Sequence, residues 1–220
     1  MDKSSINFVY RTLAKKIGEP KTELNYRNAY TFLVSVVLSA QATDKSVNNA
    51  TRDLFKTVKT PKDMVALGER KLKNYIKTIG LYNSKAKNVI NLSKILIKDY
   101  ESKIPVDFKN LTSLPGVGNK TASVYQNEIL DIPRIAVDTH VYRVSNRVGL
   151  VKTKTADQTQ EVLEQITPKK WLKTAHHLLI LHGRYTCKSQ KPLCGDCVIF
   201  KQCGYIKSAE DKKNISSKQK

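Results

Sequence analysis

The chain has 220 residues, and 39 Lys and Arg residues against 19 Asp and Glu give it a formal net charge of +20. No apolar run approaches the length of a membrane-spanning helix, and the N-terminal segment lacks the apolar core of a secretory signal, so we expect a cytoplasmic protein. The charge favours a polyanion such as nucleic acid as the partner, although a basic housekeeping protein or a protein that binds anionic membranes would share it.

Helices are predicted almost from the start of the chain. Residues 29–40, AYTFLVSVVLSA, form an apolar run long enough for a buried helix, although periodicity alone does not exclude a strand. Thr60, Pro61 and Asp63 give a helix start, with a capping hydroxyl, a proline at the first position and an acid in the first turn. Gly80 is expected to end the helix ERKLKNYIKTI, and NVINLSKILI carries an apolar stripe at helical spacing.

The second half of the sequence also predicts helices, and no convincing series of strands or repeats occurs. These helices cover residues 118–130, 138–148, 156–166 and 169–182. Pro133 interrupts the chain between them, at a point where it would cross from one helical lobe to another. The fold class predicted from the sequence is therefore all-α.

The segment LPGVGNKTASV places two glycines and a lysine within five residues. A P-loop is excluded, because that motif has four residues between its glycines and a Lys-Ser/Thr pair after the second. Gly116 and Gly118 instead lie between a short predicted helix, DFKNLTSL, and the next one, NKTASVYQNEIL. This is a helix–hairpin–helix pattern, which binds the DNA backbone through amide groups without reading sequence. An ordinary turn between two helices would share the pattern.

Lys120 falls in the first turn of the helix after this hairpin. The positive end of the helix dipole disfavours an ammonium there, and a neutral amine is a nucleophile. A catalytic amine needs a partner that handles protons, and VDTHVYRV supplies Asp138 and His140 about one helix later. Asp138 is equally well placed to cap the following helix, which is a purely structural role.

The cysteines are confined to seventeen consecutive positions with the spacing C-x6-C-x2-C-x5-C. Clustered thiols in a cytoplasmic protein predict a metal centre rather than disulfides. Four thiolates suit either tetrahedral zinc or an iron–sulfur cluster. Zinc knuckles usually have two C-x2-C pairs and this sequence has one, so the spacing favours iron–sulfur and leaves zinc open. The four candidate ligands are Cys187, Cys194, Cys197 and Cys203.

Three motifs now stand in order, LPGVGNKTA, VDTHVYRV and the cysteine cluster, accompanied by LSAQATD, IGLYNSKA and LILHGRYTC. Together they resemble the endonuclease III family, bifunctional DNA glycosylases and AP lyases with a helix–hairpin–helix motif and a 4Fe-4S cluster. The resemblance covers nearly the whole chain. It implies a monomer of base excision repair, associated with the nucleoid through double-stranded DNA that carries damaged pyrimidines or abasic sites.

The same resemblance implies two helical lobes flanking a DNA-binding groove. Residues 22–132 would form a six-helix, barrel-like lobe that contains the helix–hairpin–helix at about 107–130. Residues 1–21 and 133–220 would form the second lobe, with the iron–sulfur loop at 187–203.

The chemistry implied by the resemblance is removal of oxidised or ring-saturated pyrimidines, such as thymine glycol, from a flipped nucleotide. Lys120 would attack the sugar C1′, expel the base and leave a Schiff base, and β-elimination would then cut the strand 3′ to the lesion. Asp138 would assist by charge stabilisation or by proton transfer. The 4Fe-4S cluster, held by the four cysteines, would support a DNA-binding loop.

The resemblance also assigns DNA contacts. Gln41 in LSAQATD corresponds to the residue that fills the hole left by the flipped base, and Leu81 in IGLYNSKA to a wedge inserted into the opposite strand. Gly116 and Gly118 would hold a phosphate. Without the resemblance, Leu81 would be assigned to the core, and Asp44 remains a helix cap in either case.

Two departures and two rival functions stay open at this point. Asn119 stands where relatives often have a basic residue, and Thr112 where some have an acid, which leaves the lesion preference in doubt. Adenine DNA glycosylase shares the scaffold, but that branch generally lacks a lysine at the Lys120 position and has an extra C-terminal domain. A non-enzymatic iron–sulfur module that binds DNA or senses redox state would explain the charge and the cysteines, but not Lys120 and Asp138.

Overall fold

The computed structural model describes residues 1–18 and 22–206. Eleven α-helices and one short 3-10 helix lie wholly within these residues, which contain no strand, so the all-α prediction is confirmed. None of the helices described combines the length and the apolar character that a membrane span requires. The helices are α1 (Lys3–Ile17), α2 (Ala29–Leu38), α3 (Asp44–Thr57), α4 (Pro61–Leu67), α5 (Glu69–Ile76), α6 (Tyr82–Asp99), α7 (Phe108–Ser113), α8 (Asn119–Ile129), α9 (Thr139–Val148), α10 (Ala156–Ile166), α11 (Lys169–Tyr185) and the 3-10 helix Phe200–Gln202.

The chain divides into two compact units, each with its own apolar core. The first unit comprises residues 22–132 and contains α2 to α8. The second unit combines residues 1–21 with 133–220 and contains α1, α9 to α11 and the 3-10 helix.

The core of the first unit forms around α2, in which every residue from Tyr30 to Leu38 is buried. A helix that is apolar on all sides has to be covered on all sides, and α2 packs against α3, α6 and α8. Asn28 and Thr31 form a capping box that fixes the start of the helix. The buried helix predicted over 29–40 is therefore confirmed, except that its last two residues lie in the turn that follows.

Helix α6 buries the apolar stripe that the sequence predicts, and it packs against α2, α4 and α5. Its lysines at positions 87, 94 and 98 are exposed on the opposite side. The apolar residues of the stripe that are fully buried are Val89, Ile90, Leu92 and Leu96.

Helix boundaries show where local signals succeed and where they fail. Thr60 caps α4 in a capping box with Asp63, as predicted. Helix α5 ends at Ile76 rather than at Gly80, because the Ile79 amide bonds back to the Ile76 carbonyl at 2.9 Å and turns the chain early. The prediction that Asp44 caps a helix is wrong.

The residue that caps α3 is Thr43, whose hydroxyl accepts a hydrogen bond from the Ser46 amide at 3.2 Å. Asp44 is instead the first helical residue, where its carboxylate faces the positive end of the helix dipole. Both residues favour helix starts, so the sequence leaves the boundary uncertain by one position.

The second unit packs α11 against α1 and α9. A Cβ atom at Gly183 would lie 2.9 Å from the Cβ of His140, so this glycine is what allows α9 and α11 to approach closely. The sequence predicts an end to α11 at residue 182, but the helix continues to Tyr185. Helix α11 therefore runs through Gly183, which packs against α9 instead of ending the helix.

Candidate active site and metal centre

The hairpin between α7 and α8 has the conformation that its glycines predict. The Val117 amide donates to the Leu114 carbonyl at 3.0 Å and closes the turn, and α8 begins immediately after Gly118. Apolar side chains hold the two helices together at this point. The buried ones are Leu111, Leu114, Val117 and Ala122.

The two glycines of the turn differ in backbone conformation and in the space available for a side chain. Gly116 has a left-handed backbone, with φ at +79°, and a Cβ atom there would lie 3.1 Å from the Asn88 Cβ and 3.1 Å from the Val37 Cγ1. Gly118 has an extended backbone with φ at −88°, and a Cβ atom there would meet nothing within 4 Å. Gly116 is therefore required by packing, whereas packing would tolerate a side chain at Gly118.

Lys120 is the second residue of α8 and is exposed. Gly118, the residue that precedes α8, has no side chain with which to cap the helix. Because Lys120 is in the first turn of α8, its side chain begins at the same end of the helix as the first amide groups, where the helix dipole is positive. This arrangement suits an anionic ligand, such as a phosphate of a nucleic-acid backbone, next to a primary amine.

Gln41 and Leu81 each lie on a turn and share an uncommon backbone conformation. Their φ angles are +53° and +59°, in the left-handed region that residues other than glycine rarely adopt. Both are exposed, and Leu81 keeps 59% of its surface accessible, which excludes the core role that its residue type alone suggests. The two turns are neighbours, because a Cβ atom at Gly80 would lie 3.9 Å from the Gln41 carbonyl oxygen.

Asp138 caps α9 and belongs to the second unit, whereas Lys120 belongs to the first. Its Oδ1 accepts hydrogen bonds from the amides of His140 at 2.9 Å and Val141 at 2.8 Å. These bonds hold the carboxylate in one orientation at the positive end of the helix. The capping role that the sequence predicts is confirmed.

The segment before Asp138 is anchored on both sides. The Ile135 amide donates to the Glu164 carboxylate of α10 at 3.0 Å, and the Ala136 carbonyl lies 2.6 Å from the Nδ1 of His176 on α11. An extended segment has no helical hydrogen bonds of its own, so these side chains satisfy its backbone. Asp138 therefore follows a segment that is fixed by two helices of its own unit.

The cysteine loop brings its four thiols to one cavity of the second unit, as the clustering predicts. Nevertheless, across residues 1–18 and 22–206, no three His, Cys, Asp or Glu side chains are placed to hold a metal ion. The four thiols nevertheless line the same cavity. The residues that border this cavity with the four cysteines include Arg147, His182, Pro192 and Phe200.

The electrostatics of this cavity disfavour thiolates unless positive charge is present. Burial, and after it the nearby Cys203 and Cys187 thiols, raises the pKa of Cys194. Burial also raises the pKa of Cys197. Four ionised thiols could therefore share the space only around a cationic centre.

Three residues near the cysteines were not identified from the sequence. Arg147 donates to the Lys188 carbonyl at 2.6 Å, and its Nη1 lies 3.8 Å from the Cys187 Sγ. Arg143 donates to the Cys187 carbonyl at 3.1 Å. The two arginines are four residues apart on α9, which puts them on one helix face, but nothing in the sequence indicates that this face meets the cysteine loop.

The third residue is His182, which is buried with its Nε2 3.8 Å from the Cys197 Sγ. Burial lowers the pKa of His182 to about 4, so the imidazole is neutral near pH 7. A neutral imidazole N–H is a suitable donor to a sulfur ligand of a metal centre. The sequence signal for it was weak, since His182 is separated from Cys187 by four residues and by the end of α11.

Comparison with known proteins gives a family and several close relatives. The family model described as HhH-GPD superfamily base excision DNA repair protein matches residues 34–169. Endonuclease III of Rickettsia conorii (strain ATCC VR-613 / Malish 7) is 54% identical over 205 residues, which cover 93% of this chain and 98% of that protein. Endonuclease III of Rickettsia prowazekii (strain Madrid E) is 53% identical over 205 residues, covering 93% and 97% of the two chains.

A solved structure is also similar over nearly the whole chain. It is a trapped endonuclease III–DNA covalent intermediate, an estranged-adenine complex, with a TM-score of 0.90 and 39% sequence identity. The match covers 96% of this chain and 99% of that one.

The constraint at Gly116 predicts a specific loss on substitution. Gly116→Ala should lower the free energy of unfolding by about 1–3 kcal/mol, because alanine is strained at positive φ and its Cβ would press on Asn88 and Val37. Binding to duplex DNA should weaken as well, and denaturant unfolding and fluorescence anisotropy measure the two effects. Gly118→Ala is the control, with a stability within about 0.5 kcal/mol of wild type. Equal stability of the two variants would contradict the packing argument.

Proposed function

Because the chain belongs to the HhH-GPD superfamily of base excision DNA repair proteins, and within it to the endonuclease III family, we propose that Lys120 is its catalytic nucleophile and Asp138 the carboxylate that assists it. The chain is a DNA glycosylase with AP lyase activity that acts on damaged duplex DNA. The observation that carries the proposal is the exposed amine at the second position of α8, directly after the Gly116–Gly118 turn.

The substrates that we propose are oxidised or ring-saturated pyrimidines and abasic sites. Loss of aromaticity weakens the stacking of a pyrimidine, so such a base costs least to rotate out of the helix. The 39 basic side chains supply the attraction to the phosphate backbone that any such search on duplex DNA requires.

The reaction follows from an amine next to a flipped nucleotide. The Lys120 Nζ forms a bond to C1′, the glycosidic bond breaks, and the departing base takes up a proton. Ring opening of the sugar then gives a Schiff base between Nζ and C1′. Loss of a proton from C2′ breaks the C3′–O bond by β-elimination, which cuts the strand, and water releases the lysine.

Asp138 is suited to stabilise the positive charge that develops at the sugar during base loss. Two amide hydrogen bonds at 2.9 and 2.8 Å fix its Oδ1, so little reorganisation of the carboxylate is required as the charge appears. The His140 ring belongs to a different contact, since its Nδ1 lies 3.2 Å from Arg143 Nη2. We therefore assign the supporting role to the carboxylate.

Gln41 and Leu81 are proposed as the residues inserted into the DNA. Both project from turns with left-handed backbones, which commonly mark functional positions because they store strain. The exposed Leu81 side chain is an apolar wedge of the kind that separates base steps. Gly116, Gly118 and the first residues of α8 are exposed, and we propose that this helix N-terminus binds a phosphate and so holds the duplex at the first unit.

We propose that the four cysteines hold a 4Fe-4S cluster. Two observations support the fit: the four thiols line one cavity, and burial raises the pKa of two of them, so a positive centre is needed to keep thiolates. The single C-x2-C pair in the spacing favours iron–sulfur over a zinc knuckle, which usually has two such pairs. When bound, the cluster would stabilise the loop 187–203 and supply no chemistry at the sugar. Exposed lysines on that loop, Lys188, Lys191 and Lys201, would then face the DNA backbone.

The role of Lys120 is tested by trapping with borohydride. Wild-type protein should form a covalent complex with a thymine-glycol duplex, because borohydride reduces the Schiff base. Lys120→Gln should form none and should not cut the strand, while binding the same duplex about as well as the control Lys71→Gln, which removes an exposed lysine of α5. A trapped complex in Lys120→Gln would assign the nucleophile to another amine.

The role of Asp138 is tested by Asp138→Asn. Asparagine is also a good N-cap, so thermal unfolding should stay close to wild type. Single-turnover base excision should slow by about 100-fold or more, because the charge is lost and the shape is kept. Glu161→Gln, which removes an exposed charge from α10, should keep the wild-type rate. An Asp138→Asn variant of normal rate would leave the residue with its capping role alone.

The metal assignment is tested by analysis of purified protein. We expect a visible absorbance band and four irons per chain, both lost in Cys197→Ser and retained in Ser189→Ala of the same loop. A colourless, active protein that contains one zinc per chain would show the cluster assignment to be wrong.

A further inference from the structure

Lys85 on α6 is buried without a hydrogen-bond partner. The residue is 5% exposed, and its Nζ is one of two buried polar side-chain atoms without a partner in the described part of the chain. The other atom is the hydroxyl oxygen of Ser145, in the second unit. A buried amine without a partner is costly, and burial lowers the pKa of Lys85. Such a group needs an explanation.

The explanation lies in what surrounds the start of α6. Leu81 immediately precedes the helix, and the Lys85 amide donates to its carbonyl at 3.0 Å. Gly80, one residue earlier, approaches the Gln41 carbonyl. Gly116 packs on Asn88, one turn after Lys85. The Leu81 and Gly116 segments therefore adjoin the first two turns of this helix, and the Gln41 segment lies beside Gly80, directly before Leu81.

The general direction of helical side chains relates Lys85 to these turns. Helical side chains lean towards the N-terminus of their helix, so we expect Lys85 to extend towards the turn that carries Leu81. The turns also contain possible acceptors. Among the backbone hydrogen bonds of the described turns, none is accepted by the carbonyl of Gln41 or Gly80. The free protein thus has a buried donor without an acceptor on the helix that follows these turns, and carbonyl groups without a backbone donor in the turns themselves.

We propose that Lys85 is a positioning residue of the DNA-bound state: when Gln41 and Leu81 enter the duplex, its amine donates hydrogen bonds to the carbonyl groups of the turns that carry them. The proposal rests on the proposed function, since it takes these two side chains to be inserted into DNA. It explains why an apolar residue, which would suit the free protein better, does not occupy the position. The cost of burying an amine without a partner in the free protein would be offset by the hydrogen bonds that it forms on insertion.

The experiment compares wild type, Lys85→Met and Lys94→Met. Methionine keeps the length and apolar stem of Lys85 and removes the donor, and Lys94 is an exposed lysine of the same helix, so the two variants lose the same charge. The measurements are thermal unfolding, affinity for undamaged duplex, and affinity for duplex with a tetrahydrofuran abasic-site analogue. A 2-aminopurine base opposite the analogue reports insertion by its fluorescence.

Lys85→Met should unfold at the wild-type temperature or above, because a buried group without a partner has been removed. It should bind undamaged duplex as Lys94→Met does, but lose about tenfold in affinity for the abasic-site duplex together with the 2-aminopurine signal. This combination identifies a residue that acts only on insertion.

Three outcomes would overturn the proposal. A destabilised or unfolded Lys85→Met assigns the side chain to the core, and a stable variant with normal insertion leaves it without a role in DNA binding. A wild-type protein that does not distinguish the two duplexes contradicts the proposed function itself, and the inference with it. Failure of the proposed function can be distinguished from failure of the Lys85 proposal, because it is measured as the affinity of the wild-type protein for the two duplexes.

Discussion

The contact of Gly116 with α2 and α6 is the constraint on which the architecture of the first unit depends. Gly116 has a left-handed backbone and no Cβ, so the hairpin can approach both helices closely. A Cβ atom at this position would lie 3.1 Å from the Val37 Cγ1 and 3.1 Å from the Asn88 Cβ. Because the same two helices lead into or out of the turns of Gln41 and Leu81, this one contact fixes the hairpin relative to both turns. The turn proposed to bind phosphate, the proposed catalytic amine and the two side chains proposed to enter DNA can thus share one rigid support.

In the second unit, polar contacts fix the segments proposed to be functional, in addition to the apolar core. The carboxylate of Asp138 and the carbonyls of the cysteine loop are each fixed by hydrogen bonds from outside their own segment, through backbone amides and the arginines of α9. Loops and extended segments lack internal hydrogen bonds, so such contacts determine their position. The cysteine cavity needs a positive centre for the same reason that Lys85 needs an acceptor: a polar group removed from water has to be compensated.

Local sequence signals predicted most of the helices because capping and periodicity act over a few residues. Thr60 with Asp63 and the stripe of α6 are of this kind. The failures are also local. The residue that caps α3 is Thr43 and not the neighbouring Asp44. Gly183 does not end α11, because the absence of a Cβ there allows α11 to pack closely against α9. The role of a glycine depends on what lies opposite, which a single sequence does not contain.

The sequence by itself determined the all-α class, the hairpin and the clustering of thiols, because each of these follows from residues close together along the chain. It also pointed to Lys120 and Asp138 through the order of motifs. Only the tertiary structure decided that Leu81 is exposed, that Lys85 is buried without a partner and that α9 supports the cysteine loop. These properties depend on which surfaces meet after the chain has folded, and burial of an amine or an apolar side chain is set by neighbours distant in sequence.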